Sequence, residues 1–307
     1  MDTPSTGQSV KILTTTGKGN FIESDYVLPP LHDYEIRVKN VMTGVCRSDI
    51  DMMNGTFPLL PMQMHGHEGL GQVVEVGNGV GTYDCVIGDL VATRGEPAYA
   101  DYYNCKPMTW VKVPEADPKY IIEPVACGVN IETFCRDELV TKHHNEQRRM
   151  LIIGTGFLAK VFYQTINTYD WDIDVWGNAD SKYWGEHLVS EPNGAYDIIV
   201  DLKETNQVLD VKLNDSPLII LCSQKTEPIA TDFSNWLWKS ATIKMPSPRA
   251  ECFHSSMNRA VSMVAQSKIE LDNVWTQSYS RETNWQQAFI DAQNRPQGYG
   301  RGYIEWD

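Results

Sequence analysis

The residues best suited to chemistry lie in the first quarter of the chain. A histidine and a carboxylate stand side by side at His67 and Glu68, and a thiol at Cys46 precedes them, with a further carboxylate at Asp49. Thiolate, imidazole and carboxylate form a mixed ligand set that suits zinc. The separation between Cys46 and His67 is far too long for a zinc finger, so the fold must assemble any such site. Catalytic zinc is typically held in this way, with one position open for water or substrate.

A second motif, Gly154-Thr155-Gly156-Phe157-Leu158-Ala159, has the G-x-G-x-x-A form of the dinucleotide fingerprint. It follows an apolar run at residues 150–153 and opens a helix-like segment, which is the context that the motif requires. Gly154 makes the tight turn, Gly156 lets the backbone approach a pyrophosphate, and Ala159 lets the helix pack on the strand. The helix N-terminus attracts phosphate. We predict a cofactor site here; an ordinary glycine-rich turn between strand and helix is the alternative.

The residues after the second strand of this region bear on the choice between NAD and NADP. An acid about 20 residues after the glycines usually binds the ribose hydroxyls of NAD. The corresponding position here is Gly177 or Asn178, and both are uncharged. Ser181 and Lys182 would then hold a 2′-phosphate, which favours NADP over NAD. Asp180 would instead be the acid of an NAD site if the loop runs longer.

The elements that must position these motifs change character near residue 121. Short alternating apolar segments precede this point and predict a twisted β domain. Apolar strands alternating with helical segments follow it and predict βαβ units and a parallel sheet. We expect a metal-binding β domain at residues 1–125, a dinucleotide-binding domain at 126–267, and a C-terminal segment at 268–307 that returns to the first domain.

Composition excludes several classes of protein. The chain has 307 residues, a hydrophobic fraction of 42% and a formal net charge of -14, so nucleic acid is not an expected partner. No apolar run approaches the length of a membrane span, and the N-terminus lacks the features of a signal peptide, so we expect a cytoplasmic protein. The seven cysteines contain no C-x-x-C pair, which argues against a disulfide framework and against a four-cysteine zinc lobe.

Four strings in this order resemble the medium-chain dehydrogenase/reductase superfamily, and more narrowly its zinc-dependent alcohol and polyol dehydrogenases. They lie at residues 44–49, 66–71, 88–91 and 123–129. The resemblance implies an α/β fold, with a GroES-like twisted β catalytic domain and a Rossmann-like doubly wound parallel sheet that binds the nucleotide.

The resemblance also implies roles for individual residues at the metal. Cys46 and His67 match the ligands of the catalytic zinc. Glu68 matches a neighbouring glutamate that can also reach the metal. Glu123 stands where polyol dehydrogenases often place a glutamate ligand, and Cys127 is the alternative at this position.

Further roles concern the proton and the cofactor. Asp49 matches the carboxylate that orients the ligand histidine. Ser48 matches the hydroxyl that takes the substrate's proton, and Arg47 matches a residue that contacts the cofactor phosphates. Related enzymes often carry a histidine after the cysteine that relays the proton; here Asp51 or water would do so. Tyr299 and Arg301, near the C-terminus, are candidates for contacts to the cofactor phosphates, but we expect a surface role for both.

The implied protein is a zinc-dependent oxidoreductase that transfers a hydride between an alcohol or polyol, or its carbonyl form, and a nicotinamide cofactor. It would hold one catalytic zinc and no structural zinc, act on a small molecule, and form a homodimer or homotetramer. A metal-free quinone or enone reductase of the same superfamily is one alternative. A non-catalytic relative that binds only a cofactor or a metal is the other.

Overall fold

The structure is a computed structural model that describes residues 4–61, 64–95, 97–166, 169–178, 181–203, 206–223 and 233–306. The chain divides into two compact units. The first comprises residues 1–124 and 257–307, and the second comprises residues 125–256. The domain boundaries expected from the sequence stay a prediction.

The first unit is built mainly of strands. Their buried sides carry apolar residues, as in Ile36, Val38 and Val73. Its elements are β1 (Ser9–Thr15), β2 (Phe21–Val27), β3 (Ile36–Gly44), α1 (Arg47–Met53), β4 (Gly69–Val76), β5 (Leu90–Thr93), β6 (Tyr102–Cys105), β7 (Trp110–Lys112), β14 (Trp275–Ser280), α8 (Trp285–Asn294) and β15 (Arg301–Glu305).

Two sheets organise this unit. β1 and β2 form an antiparallel pair, and a seven-stranded sheet has the order β14-β15-β3-β4-β5-β7, with β6 paired to β3. The C-terminal strand β15 runs antiparallel to β3, with Ile304 opposite Thr43. The end of the chain therefore lies beside the strand that leads into Cys46.

The second unit alternates strands and helices. Helix α2 (Ile122–Phe134) enters it from the first unit, and α7 (Phe253–Ala265) leaves it. Between them lie α3 (Arg136–His144), β8 (Arg149–Ile153), α4 (Phe157–Ile166), β9 (Asp172–Trp176), α5 (Ser181–Trp184), β10 (Leu188–Val189), β11 (Ala195–Asp201), β12 (Lys212–Leu221), α6 (Ser234–Trp238) and β13 (Thr242–Lys244). Single 3₁₀ turns occur at Pro118–Tyr120 in the first unit and at Gly185–His187 and Gln207–Asp210 in the second.

The strands of the second unit form one parallel sheet with the order β10-β9-β8-β11-β12-β13. This is the strand order of a doubly wound dinucleotide-binding fold. Met150 and Ile152 enter one apolar cluster and Leu151 and Ile153 enter another, so β8 is buried on both faces. The predicted fold class is confirmed.

Helix α3 extends into a polar stretch of the chain. Residues 141–149 have the polar composition of a loop, but the helix extends to His144. The ring of His143 packs edge-on against Trp171, with 5.3 Å between the ring centres, and its centre lies 5.7 Å from that of the Tyr169 ring. The buried Lys142 amine donates a hydrogen bond to the Gln147 side chain at 3.0 Å. The contacts of His143 with Trp171 and Tyr169 help to hold the last turn of this helix. None of the helices in the described ranges is long and apolar enough to cross a membrane.

Candidate active site

The thiol of the candidate site stands at the start of a short helix. β3 ends at Gly44, and Cys46 occupies the N-cap position of α1 with extended backbone angles. The backbone N–H of Cys46 donates a hydrogen bond to Oδ2 of Asp49 at 2.9 Å. A carboxylate in the first turn satisfies a backbone donor that the helix itself leaves open. This local cap fixes the backbone that carries the thiol.

The histidine of the candidate site follows a tight turn just before β4. Gly66 has a φ of +82°, which side-chain-bearing residues rarely adopt. A Cβ at this position would also lie 2.5 Å from the backbone nitrogen of Tyr99. Both facts require a glycine before His67. The turn presents the imidazole of His67, whose side chain is 18% exposed.

The three candidate donors meet in space. One ligand atom each from Cys46, His67 and Glu68 lies within 4.8 Å of the others. In the described ranges this is the one group of at least three histidine, cysteine or acidic side chains that satisfies this spacing. The donor set is one sulfur, one nitrogen and one oxygen, which fits zinc.

Asp49 lies behind the histidine and is fully buried. Its Oδ1 lies 3.8 Å from Nδ1 of His67 and has no hydrogen-bond partner within the described part of the chain. Burial raises the pKa of Asp49, although the positive charge of His67 acts in the opposite direction. Burial lowers the pKa of His67, but the negative charges of Asp49 and Cys46 outweigh it and raise that pKa well above its ordinary value. Asp49 and His67 thus each favour the charged form of the other.

Glu68 is also fully buried, and Arg301 compensates its charge. Nη2 of Arg301 lies 2.5 Å from Oε1 of Glu68. The guanidinium also lies 5.0 Å from the centre of the Trp275 ring. Burial lowers the pKa of Arg301, but the negative charges of Glu68 and Cys46 outweigh this effect. The pKa is therefore above its ordinary value, and the guanidinium stays charged. The expected surface role of Arg301 is wrong, because β15 carries this residue into the site.

Glu123 and Cys127, the other candidate metal ligands, both lie on helix α2. Glu123 lies in the first turn of α2 and is 3% exposed. It is not one of the three clustered donors, but its negative charge helps to raise the pKa of His67. Cys127 lies further along α2, within the second unit.

The first helix presents the residues assigned to the proton and the phosphates. Ser48 is partly exposed in the first turn of α1. Nε of Arg47 lies 2.9 Å from Oδ1 of Asp51, whose side chain is only 6% exposed. Asp51, the candidate proton relay, is therefore ion-paired with Arg47, the candidate contact to the cofactor phosphates. The sequence did not predict this pairing.

The nucleotide motif lies at the carboxyl end of β8. Gly154 has a φ of +122°, and its N–H donates to the backbone oxygen of Trp176 at 2.9 Å. A Cβ on Gly156 would meet no atom within 4 Å, so the backbone there is open to a ligand. Ala159 is buried in the apolar core against which α4 packs. This cradle fits the pyrophosphate of a dinucleotide.

The residues expected to choose between NAD and NADP are only partly described. Asn178 follows β9 and is exposed. Asp180 and the side chains of Ser181 and Lys182 lie outside the part of the chain that the structure describes. The cofactor preference stays a prediction.

Comparison with known proteins identifies the first unit. Residues 32–115 match the alcohol dehydrogenase GroES-like domain. A sorbitol dehydrogenase from Halalkalibacterium halodurans is 32% identical over 98 residues, which cover 32% of this chain and 27% of that protein. An alcohol dehydrogenase 2 from Emericella nidulans is 38% identical over 72 residues, or 22% of this chain. The matches thus span only 27% and 20% of the lengths of these two relatives.

Solved structures extend the likeness to the whole fold. A protein described as a short chain alcohol dehydrogenase from E. coli CFT073, in complex with NADH, has a TM-score of 0.77 at 16% identity and covers 97% of this chain and 100% of its own. Galactitol-1-phosphate dehydrogenase from Escherichia coli has a TM-score of 0.76 at 18% identity, with 96% and 100% covered. Residues 32–115 are thus an alcohol dehydrogenase GroES-like domain, and the chain as a whole has the fold of these solved dehydrogenase structures.

Proposed function

We propose that the protein is a zinc-dependent oxidoreductase that transfers a hydride between an alcohol or polyol, or its carbonyl form, and a nicotinamide cofactor. The observation that supports this proposal best is the approach of the Cys46, His67 and Glu68 donors to within 4.8 Å of one another inside a GroES-like domain. This cluster contains the thiol and imidazole that a metal-free reductase of the superfamily would lack.

The metal-binding residues divide into ligands and supporting groups. Cys46 and His67 are the proposed core ligands, and Glu123 is the proposed third ligand, with Glu68 close enough to substitute. When bound, zinc supplies a Lewis acid that polarises a substrate oxygen. The proposed site holds one catalytic zinc and no structural zinc.

The chain's own side chains handle orientation and the proton. Asp49 holds the imidazole of His67 toward the site from behind. Ser48, partly exposed at the start of α1, accepts the proton of a substrate hydroxyl and passes it outward. Because Asp51 is paired with Arg47, we assign the onward transfer to water and leave Asp51 to hold the arginine.

The second unit is proposed to bind the cofactor. Gly154, Gly156 and Ala159 supply the turn, the open backbone and the close helix packing for the pyrophosphate, and the nicotinamide carries the hydride chemistry. The uncharged Asn178, with Ser181 and Lys182 after it, favours NADP over NAD. Arg47 is the proposed contact to the cofactor phosphates from the first unit.

The substrate is proposed to be a small alcohol, polyol or carbonyl compound. The relatives named above include a sorbitol dehydrogenase and a galactitol-1-phosphate dehydrogenase, and a glutamate ligand at Glu123 favours polyols.

All seven cysteines are free thiols, which suits the reducing cytosol.

A homodimer or homotetramer is part of the proposal. β13 is the last described strand at one edge of the parallel sheet, and Trp238 and Met245 on either side of it are 85% and 65% exposed. Large apolar residues beside an open strand edge are typical of a subunit contact. Sedimentation equilibrium of the purified protein measures the assembly directly.

The first test is zinc per chain, by elemental analysis of protein purified without added metal. About one zinc per chain supports the single-site proposal. NADPH and NADH oxidation and reduction are then followed with a panel of polyols, simple alcohols and their carbonyl forms. No zinc, and none taken up from solution, would instead indicate a metal-free reductase. Zinc and cofactor binding without any turnover would indicate the non-catalytic relative.

A further inference from the structure

A buried tyrosine connects the two segments that carry the candidate zinc ligands. Tyr99 lies between β5 and β6 and is fully buried. Its backbone N–H donates to the backbone oxygen of His65 at 3.1 Å, and the N–H of Ala98 donates to that of Gly66 at 3.0 Å. The tyrosine backbone is thus fastened to the turn that presents His67.

The hydroxyl of the same tyrosine reaches the other segment. It donates to Oδ2 of Asp49 at 2.8 Å and lies 3.3 Å from the backbone oxygen of Gly44. Burial and the charge of Asp49 raise the pKa of Tyr99 well above its ordinary value, so the hydroxyl keeps its proton and acts as the donor. Asp49 is the carboxylate that accepts from the N–H of Cys46 and faces the ring of His67.

The ring of Tyr99 has little freedom to move. Phe21 and Phe289 contact it edge-on, at 5.7 Å and 5.5 Å between ring centres. The turn at Gly66 lies so close that a Cβ there would be 2.6 Å from Cγ of the tyrosine. The ring therefore acts as a rigid spacer between the histidine turn and Asp49.

We propose that Tyr99 is a positioning residue of the metal centre, which fixes the carboxylate of Asp49 and through it sets the separation between Cys46 and His67. The inference rests on the proposed zinc function. The donors belong to segments that are distant in sequence, and a hydrogen-bonded carboxylate behind a ligand histidine sets both ring orientation and ligand basicity.

The chain offers a matched control for the test. Tyr103 is also fully buried, its pKa is likewise raised by burial, and its hydroxyl lies 2.8 Å from the hydroxyl of Thr93 rather than on a charged group of the site. Tyr99→Phe and Tyr103→Phe each remove one buried hydroxyl. We expect both to lower the stability of the metal-free protein, Tyr99→Phe by more, because its hydroxyl donates to a carboxylate.

Metal binding separates the two variants. We expect Tyr99→Phe to weaken zinc binding by about 10- to 100-fold, the usual effect of losing a group that orients a ligand, and to change the visible absorption spectrum of the cobalt(II)-substituted protein. Tyr103→Phe should keep the wild-type zinc affinity and the wild-type cobalt spectrum. Equal zinc affinities and identical spectra for the two variants would overturn the role of Tyr99.

A double-mutant cycle with Asp49→Asn shows whether Tyr99 acts through that carboxylate. The effect of Tyr99→Phe on zinc affinity should be much smaller in the Asp49→Asn background than in the wild type. Fully additive losses would contradict the inference while leaving the zinc site itself intact. A wild-type protein that binds neither zinc nor cobalt would overturn the proposed function together with this inference.

Discussion

The proposed metal site of the first unit and the proposed nucleotide site of the second are built in opposite ways. At the proposed metal site the candidate binding groups are side chains, and Asp49 and Glu68 are completely buried, with His67 and Arg301 beside them. At the proposed nucleotide site the candidate binding groups are backbone atoms at Gly154 and Gly156, and the neighbouring Asn178 is exposed.

The difference follows from the ligand that each place is suited to hold. A small divalent cation needs a few donors at fixed positions, and a thiolate or carboxylate donor in a poorly solvated interior needs a compensating charge. A pyrophosphate is large and anionic, so a helix N-terminus and an unobstructed backbone are sufficient. Single substitutions should therefore act through charge in the first unit and through shape in the second.

The largest effect is expected from Cys46→Ser. Losing the thiolate should reduce zinc affinity and turnover by more than about 100-fold, because even the loss of an outer-shell group costs 10–100-fold. Nucleotide binding by the second unit should remain. Zinc content, steady-state rates and NADPH fluorescence titration measure the three quantities. Cys222→Ser, at a partly exposed cysteine of the second unit, is the control, and wild-type rates in the Cys46 variant would exclude the proposed site.

The second-largest effect is expected from Gly156→Ala, which should impair nucleotide binding and leave zinc binding intact. The added Cβ meets no protein atom within 4 Å, so the fold and the zinc content should be unchanged. Affinity for NADPH should fall by at least about tenfold, which corresponds to about 1.4 kcal/mol, because a methyl group would stand where the pyrophosphate approaches the backbone. Unaltered NADPH affinity would place the nucleotide elsewhere, and zinc content serves as the internal control.

Arg301→Met tests the buried charges of the metal centre. Removing the guanidinium leaves the carboxylate of Glu68 buried beside the site without its cation, which should destabilise the zinc-free protein by about 3–5 kcal/mol. Arg148→Met is the comparison in the second unit, because Arg148 pairs with Asp170 at the surface and its loss should cost less than about 1 kcal/mol. Urea unfolding of both zinc-free variants measures the difference. Similar losses would show that the Glu68 pair is no more important than a surface pair.

The smallest effect is expected from Asp89→Asn, at a pair on the surface of the first unit. A hydrogen bond from Lys112 holds the pKa of Asp89 below its ordinary value, so the pair stabilises the fold above about pH 4 and this contribution is lost as the pH falls through the lowered pKa. The variant should lose less than about 1 kcal/mol at pH 7. Urea unfolding at pH 7 and at acid pH should show this difference shrinking, and a constant difference would assign it to some other contact.

The fold was largely predictable because its signals are local. The apolar run at residues 150–153 and the glycines after it specify a buried parallel strand and its turn. β14 gave no such signal, because its sequence Trp275–Ser280 is mostly polar and the strand forms by pairing with β15. The polar end of helix α3 likewise has no clear local signal, because it packs through His143 against Tyr169 and Trp171.

Sequence alone therefore determined the chemistry that is available: a thiol, an imidazole and carboxylates at family-like spacing, and a glycine turn after an apolar strand. The tertiary structure decided how these charges are balanced. It brought Arg301 to Glu68, 233 residues away along the chain, and Tyr99 to Asp49, 50 residues away. Such contacts have no signature in local sequence, because they arise only when β15 pairs with β3 and when the segment before β6 folds against the histidine turn.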